Sequence, residues 1–162
     1  MTALDIGLLV LRVAVGGIYV LHGVRKLGWR NPDGFAGFHA SIVRRGYRPP
    51  QLWALAAVSA EIGGGILAIL GLLTPVAAAL LLAQSVTIVA LVRGRGFWVE
   101  AMGVEYPLML GASAVTIALT GPGAISVDDL LGVAVDPQVA VALAAVGVAG
   151  SVVGLVTRRP AA

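Results

Sequence analysis

The chain has no cysteine, and that absence removes several chemistries together. It excludes a disulfide relay, a thiolate nucleophile, an iron–sulfur cluster held by this chain and a Cys-ligated zinc. Charge is scarce too. At 12%, charged residues have about half their share in a soluble domain. Hydrophobic residues reach 59% of the 162, more apolar surface than a single domain of this length can hide from water. A water-soluble globule is excluded, and so is disorder, which needs the opposite composition. There are two histidines, and only His22 falls inside a long apolar run, so a haem held by two histidines within the membrane is not expected.

What is present is apolar sequence in long runs, over residues 4–27, 52–73, 75–92, 106–120 and 139–156. A helix rises about 1.5 Å per residue and needs roughly 20 residues to cross about 30 Å of hydrocarbon. The reading is an all-α membrane protein, a compact bundle of a four-helix core plus a fifth transmembrane helix. The fourth run is short, and crosses only if its helix starts before Pro107 or the bilayer thins around it. Arg25, Lys26, Arg30, Arg44, Arg45 and Arg48 follow the first run, Arg93 and Arg95 the third, and Arg158 and Arg159 the fifth. Five spans put all of these on one side. The positive-inside rule then predicts a multi-pass protein of the inner (plasma) membrane, with its N-terminus outside and its C-terminus in the cytoplasm. This clustering assigns the net charge of +3 to membrane topology, and no nucleic-acid partner is expected. No Lys or Arg precedes the first run, which argues against a cleavable signal peptide.

The connections carry their own signals. Residues 71–75 read as a tight hairpin, Gly121-Pro122-Gly123 ends the fourth span, and Ser126 can cap a short helix whose third position is Asp129. The connection over residues 28–50 is longer. After the turn Asn31-Pro32-Asp33-Gly34, the residues Phe35, Phe38 and Ile42 recur at helical spacing, with Arg44, Arg45 and Arg48 beyond them. Two readings of this amphipathic segment stand side by side. It lies on the membrane with Arg44, Arg45 and Arg48 on anionic lipid, or it packs on the inner rim of the bundle.

Ionisable groups at membrane depth cost roughly 3 kcal/mol or more, so each needs a partner or a task. In the first span Arg12, Gly16, Tyr19, His22, Gly23 and Lys26 share a stripe about 120° wide, which should face the bundle interior. In the second, Glu61 shares a face with Ala54, Ala57, Gly64, Gly65 and Ala68, and the Gly63-Gly64-Gly65 run lets another helix come close. Counting depth from the outer ends of the two spans places Arg12 about 12 Å in and Glu61 about 18 Å in. The expectation is an Arg12–Glu61 ion pair. The alternative has Arg12 snorkelling outward and Glu61 protonated or satisfied by Ser59 or a facing helix. His22 reads either as a proton carrier or donor to a quinone-like carbonyl, or as a structural histidine. Gln84, Glu105 and Tyr106 complete a candidate polar pocket within an apolar wall. Glu105, just before Pro107, reads equally as an ordinary helix start.

These residues resemble the DoxX family of membrane proteins. The resemblance rests on Leu11-Arg12 through His22-Gly23-Val24-Arg25-Lys26-Leu27, on Ala60-Glu61-Ile62-Gly63-Gly64, on Leu73-Thr74-Pro75, on Glu105-Tyr106-Pro107, and on Thr120-Gly121-Pro122-Gly123 with Ser126-Val127-Asp128. It covers residues 4–132 in order. It implies a DoxX-like four-helix domain over residues 1–132, with the amphipathic loop at 28–50. Residues 133–162 then add a fifth transmembrane helix and a basic tail, a departure from the usual four-helix bundle of the family. DoxX-type proteins are similar to the DoxD subunit of thiosulfate:quinone oxidoreductase, and some mycobacterial relatives are linked to a membrane complex that handles oxidative and thiol stress. The resemblance makes Arg12, His22, Lys26, Glu61 and Glu105 candidates for a shared site, without assigning catalysis to any of them.

Two functions follow as expectations. The first is a redox-linked membrane subunit that binds a quinone or another apolar ligand in the bundle. With no cysteine, paired histidine or flavin motif, the chain stores no electrons itself, so either a bound quinone takes them directly from a donor or a partner protein carries the redox centre. If it is an enzyme, it is an oxidoreductase subunit acting on quinone, with no metal or covalent cofactor. The second is a non-enzymatic scaffold or accessory subunit of a larger complex. Membrane lipids and a protein partner or second copy are the expected company in both. A proton or solute path along Arg12, Tyr19 and His22 is a third reading, weakened by the lack of a continuous chain of carboxylates.

Overall fold

The computed structural model describes residues 1–134 and 136–159; residues 135 and 160–162 of the expected 133–162 segment lie outside the described residues. The chain is all helical. Helices α1 (Ala3–Leu27), α3 (Pro50–Leu70), α4 (Thr74–Val92), α5 (Glu105–Thr120) and α7 (Pro137–Val156) form the bundle, with α2 (Gly34–Arg44) and the single-turn α6 (Val127–Leu130) at its ends. Each long helix begins where the expected apolar run begins, within two residues, because local chemistry fixes the starts. Thr2 and Asp5 form a reciprocal capping box on α1. Pro50, Pro75 and Pro137 occupy first-turn positions of α3, α4 and α7, where a missing N–H costs nothing.

Among the described residues, four helices are long and apolar enough to cross a membrane, namely α1, α3, α4 and α7. Helix α5, with 16 residues, is about 24 Å long and falls short of that length. It nevertheless carries the chain from the end where α4 stops to the end where α1 starts. Past α5, the Ala124 N–H donates to Asp5 at 3.0 Å, and at the opposite end the Arg159 N–H donates to the Gly46 carbonyl at 2.9 Å. The fold therefore gathers every Lys and Arg except Arg12 at one end, called here the basic end.

Small residues set the helix contacts, as they do where no water drives helices together. A Cβ on Gly16 would sit 2.5 Å from the Gly65 carbonyl oxygen, and one on Gly65 would sit 2.6 Å from the Gly16 carbonyl. Gly23 faces Ile62 in the same antiparallel pair, and Gly147 of α7 lies against the Ala79 backbone of α4. These contacts stagger α1 against α3. Gly16 stands opposite Ile69, and Lys26, at the very end of α1, stands opposite Glu61 in the middle of α3. The first half of α3 therefore extends past the end of α1, and α2 fills the space beside it. Phe35, Phe38 and Ile42 of α2 pack with Tyr47, Trp53 and Ala54. Of the two readings of this segment, the structure takes the inner rim, and Arg44, Arg45 and Arg48 remain exposed outside it.

The outer surface is apolar. Val10, Val13, Leu55, Leu108, Met109, Val152 and Val153 are exposed along the helices, and Trp29, Phe97, Trp98 and Met102 are exposed at the basic end. That is the surface of a bilayer-embedded bundle with aromatic residues near one interface.

Candidate functional site

The stagger of α1 and α3 decides where the buried charges go. Arg12 is fully buried, and it does not meet Glu61. It stands level with the α3–α4 turn, where its guanidinium donates to the Ile125 carbonyl and lies so close to Gly71 that a side chain there would collide with it. Asp128 completes this cluster from the single-turn helix α6. Its carboxylate accepts from the Leu73 N–H at 2.8 Å, the Thr74 N–H at 2.9 Å and the Thr74 hydroxyl at 2.7 Å. Asp128 thus caps α4 from another part of the chain, and it holds Leu73 in a left-handed conformation (φ 46°) that a residue with a β-carbon rarely adopts. The expected Arg12–Glu61 pair is corrected by this arrangement. The expectation set the ends of the two spans level, whereas α1 is shifted by about eight residues, roughly 12 Å, relative to that alignment.

Glu61 pairs instead with Lys26, Nζ to Oε1 at 2.5 Å, with the glutamate side chain only 2% exposed. Lys26 also lies over the Phe38 ring of α2, 4.5 Å from its centroid. The second carboxylate oxygen of Glu61, Oε2, is buried and has no hydrogen-bond partner. A buried, charge-bearing oxygen with open acceptor capacity is costly unless something supplies a donor.

Beside this pair is a cavity of about 630 Å³, in the range of sites that enclose small molecules. It occupies the basic-end half of the bundle, in the space that opens where α1 stops. Its walls are largely apolar, from Ala57 and Ala60 of α3, Leu80, Ile88 and Leu91 of α4, and Val146, Gly147 and Gly150 of α7. Tyr19, His22, Lys26, Glu61, Gln84 and Tyr106 interrupt that wall. The polar groups differ in how far they are satisfied. Tyr19 donates to the Leu81 carbonyl at 2.9 Å and lies 2.6 Å from the Ser85 hydroxyl, and Gln84 Nε2 donates to the Ala57 carbonyl at 2.7 Å. The His22 and Tyr106 rings lie tilted to each other with centroids 6.2 Å apart, and both residues are exposed.

Six of the eight residues proposed from sequence as a pocket or polar network thus share one cavity wall. Arg12 and Glu105 do not. Glu105 accepts the Val99 N–H at 2.9 Å and fixes the loop that leads into α5, so it takes the helix-start reading. The sequence reading missed Asp128 and Thr74 in the Arg12 cluster, and it missed Phe38, Tyr47, Trp53 and Ser151 in the cavity wall. Ser151 had a signal, as the lone polar residue between Val139 and Val156; it donates to the Ala83 carbonyl at 2.8 Å and locks α7 onto α4. Asp128 had none locally, because its partners lie more than fifty residues away. Among the described residues no group of His, Asp and Glu could hold a metal ion.

An apolar exterior, helices long enough to span, and a largely apolar cavity between them define a multi-pass α-helical membrane protein with a part-open chamber among its helices. Residues 7–94 match the DoxX family. The chain is 32% identical over 129 residues to inner membrane protein YphA of Escherichia coli (strain K12), an alignment covering 75% of this chain and 87% of that protein. It belongs to the DoxX family. No solved structure matches it. The family match spans α1, α2, α3 and α4, which supply most of the cavity wall; α5 and α7 close it from outside that region.

Proposed function

We propose that this protein is a small, redox-linked membrane subunit that binds a quinone-like amphiphile in the chamber between α1, α3, α4, α5 and α7. One observation carries the reading: the unpartnered Oε2 of Glu61 in the wall of a 630 Å³ apolar cavity. A hydroxyl-bearing head, such as that of a reduced quinone, supplies the donor this oxygen lacks. Lys26 and His22 stand in the same wall as donors for a carbonyl, and the aliphatic walls suit an isoprenoid body. When bound, a quinone supplies the electron-carrying capacity that this cysteine-free chain lacks, and a partner protein or second copy delivers or removes the electrons. We further propose that the basic end faces the cytoplasm, with Arg44 and Arg48, which do not line the cavity, on anionic headgroups.

The test is titration of the purified full chain with a short-chain quinol kept reduced, followed through the fluorescence of Trp53 in the cavity wall after Trp29→Phe and Trp98→Phe leave it as the reporter. Saturable quenching, weakened at least tenfold in Glu61→Gln and abolished in the cavity-filling Ala57→Phe, is the expected result. Quenching equal in all three proteins would overturn the proposal. A stoichiometric companion chain together with no quinone binding would favour the scaffold reading.

A further inference from the structure

The chamber has a second polar pole, away from Glu61. Tyr47, in the turn between α2 and α3, lines the cavity and is 5% exposed, yet its hydroxyl is buried without any hydrogen-bond partner. A tyrosine that is there only to pack would place its O–H against a carbonyl, as Tyr19 does in the same wall. The surroundings of Tyr47 are cationic. The Arg158 guanidinium lies over its ring, 5.4 Å from the centroid, brought there by the end of α7, whose Arg159 N–H donates to the Gly46 carbonyl at 2.9 Å. Arg45 also lines the cavity. Among the described residues it forms no ion pair, and its guanidinium donates to the Ser41 hydroxyl at 3.0 Å. Burial pushes the Tyr47 pKa up while the two arginines pull it down, so the hydroxyl stays protonated and remains a donor at neutral pH. Of the charges in the cavity wall, Lys26 is neutralised by Glu61 and Arg45 is left over. The chamber therefore carries an excess positive charge at the pole where a donor lacks an acceptor.

We infer that the Tyr47–Arg45 pole binds the anionic headgroup, carboxylate or phosphate, of an amphiphile whose chain lies in the apolar part of the chamber. Tyr47 donates to the headgroup oxygen, Arg45 supplies the counter-charge, and the Trp53 ring, 5.6 Å from Tyr47, packs against the first part of the chain. The inference rests on the chamber being a ligand site, as proposed above, and not on any redox role.

The experiment compares probes on the full chain in a neutral detergent, reading thermal stability and the fluorescence of Trp53 in a Trp29→Phe, Trp98→Phe background. The probes are oleate, its uncharged methyl ester, phosphatidylglycerol and inorganic phosphate. Oleate, phosphatidylglycerol or both should bind, the methyl ester should bind about tenfold more weakly, and inorganic phosphate should not compete. Oleate alone identifies a free fatty acid, and phosphatidylglycerol identifies a lipid headgroup. Tyr47→Phe should weaken the charged probe about tenfold and leave the ligand-free melting temperature unchanged, because it deletes a group that makes no bond in the free protein. Arg45→Gln should weaken it by a similar factor. Equal binding of oleate and its ester, unchanged binding in Tyr47→Phe, a lowered ligand-free melting temperature in Tyr47→Phe, or competition by inorganic phosphate would each overturn the assignment. If a short-chain quinol binds and Ala57→Phe abolishes it while no charged probe binds, the headgroup pole fails and the chamber reading stands. If no probe and no quinol binds, both fail.

Discussion

Two clusters of buried charge sit at opposite levels of the same helix, and they are built differently. Around Arg12, Asp128 has its carboxylate filled by three donors from the start of α4, and the guanidinium is wedged against Gly71 and Ile125, bonded through Nη2 while its Nε and Nη1 are buried without partners. Around Lys26, the glutamate is half satisfied, the lysine is partly exposed, and a chamber opens next to both. The first cluster ties three distant segments of chain together and contributes to holding the fold. The second ties fewer segments together and lies in the wall of a cavity, where its open oxygen has room for a ligand beside it. Intramembrane charge does not distinguish the two, and neither do unfilled valences, since Nε and Nη1 of Arg12 are as unpartnered as Oε2 of Glu61; the cavity lined by Lys26 and Glu61 does.

The comparison breaks most visibly at Asp128. Asp128→Ala removes all three bonds to Leu73 and Thr74 and leaves Arg12 buried without a nearby anion. Thermal unfolding in detergent should show a loss of about 3–5 kcal/mol. Gly16→Val tests the stagger that separates the clusters. Its β-carbon would press on the Gly65 carbonyl, with an expected cost of about 1–3 kcal/mol in the same assay. Glu61→Gln should cost about 1 kcal/mol, because Lys26 keeps its contact with the Phe38 ring and can turn towards solvent. Smallest is the coupling between Arg12 and Glu61. A double-mutant cycle of Arg12→Ala and Glu61→Ala should be additive within about 0.5 kcal/mol, whereas Lys26→Ala and Glu61→Ala should be clearly non-additive. Coupling between Arg12 and Glu61 would restore the pairing rejected here.

Most of the fold was legible in the sequence, because helix positions in a membrane protein follow from apolar length, capping residues and proline. The inward stripe on α1 was legible as well; Arg12, Gly16, Tyr19 and Gly23 are all buried. The register between α1 and α3 was not. Arg12 and Lys26 sit about 21 Å apart on one helix, and α3 offers a single carboxylate, so periodicity cannot say which cation it meets. The choice depends on close approach of the Gly16 and Gly65 backbones, a contact between helices that carries no local signature. The same holds for Asp128, whose side chain caps a helix more than fifty residues earlier. The site was legible as a set of residue types and illegible as a set of partners. The amphipathic pattern of α2 likewise showed an apolar face without showing that Phe38 and Ile42 would use it to floor the chamber.

The central claim is that the Lys26–Glu61 end is a binding chamber and the Arg12–Asp128 end a lock. Native mass spectrometry of the full chain, extracted gently from its own membrane, tests it most directly when wild type and Ala57→Phe are compared. Wild type should retain a membrane-soluble small molecule that the filled chamber of Ala57→Phe excludes, with the two proteins equally folded. A small molecule retained equally by both, or absent from wild type, would contradict the account.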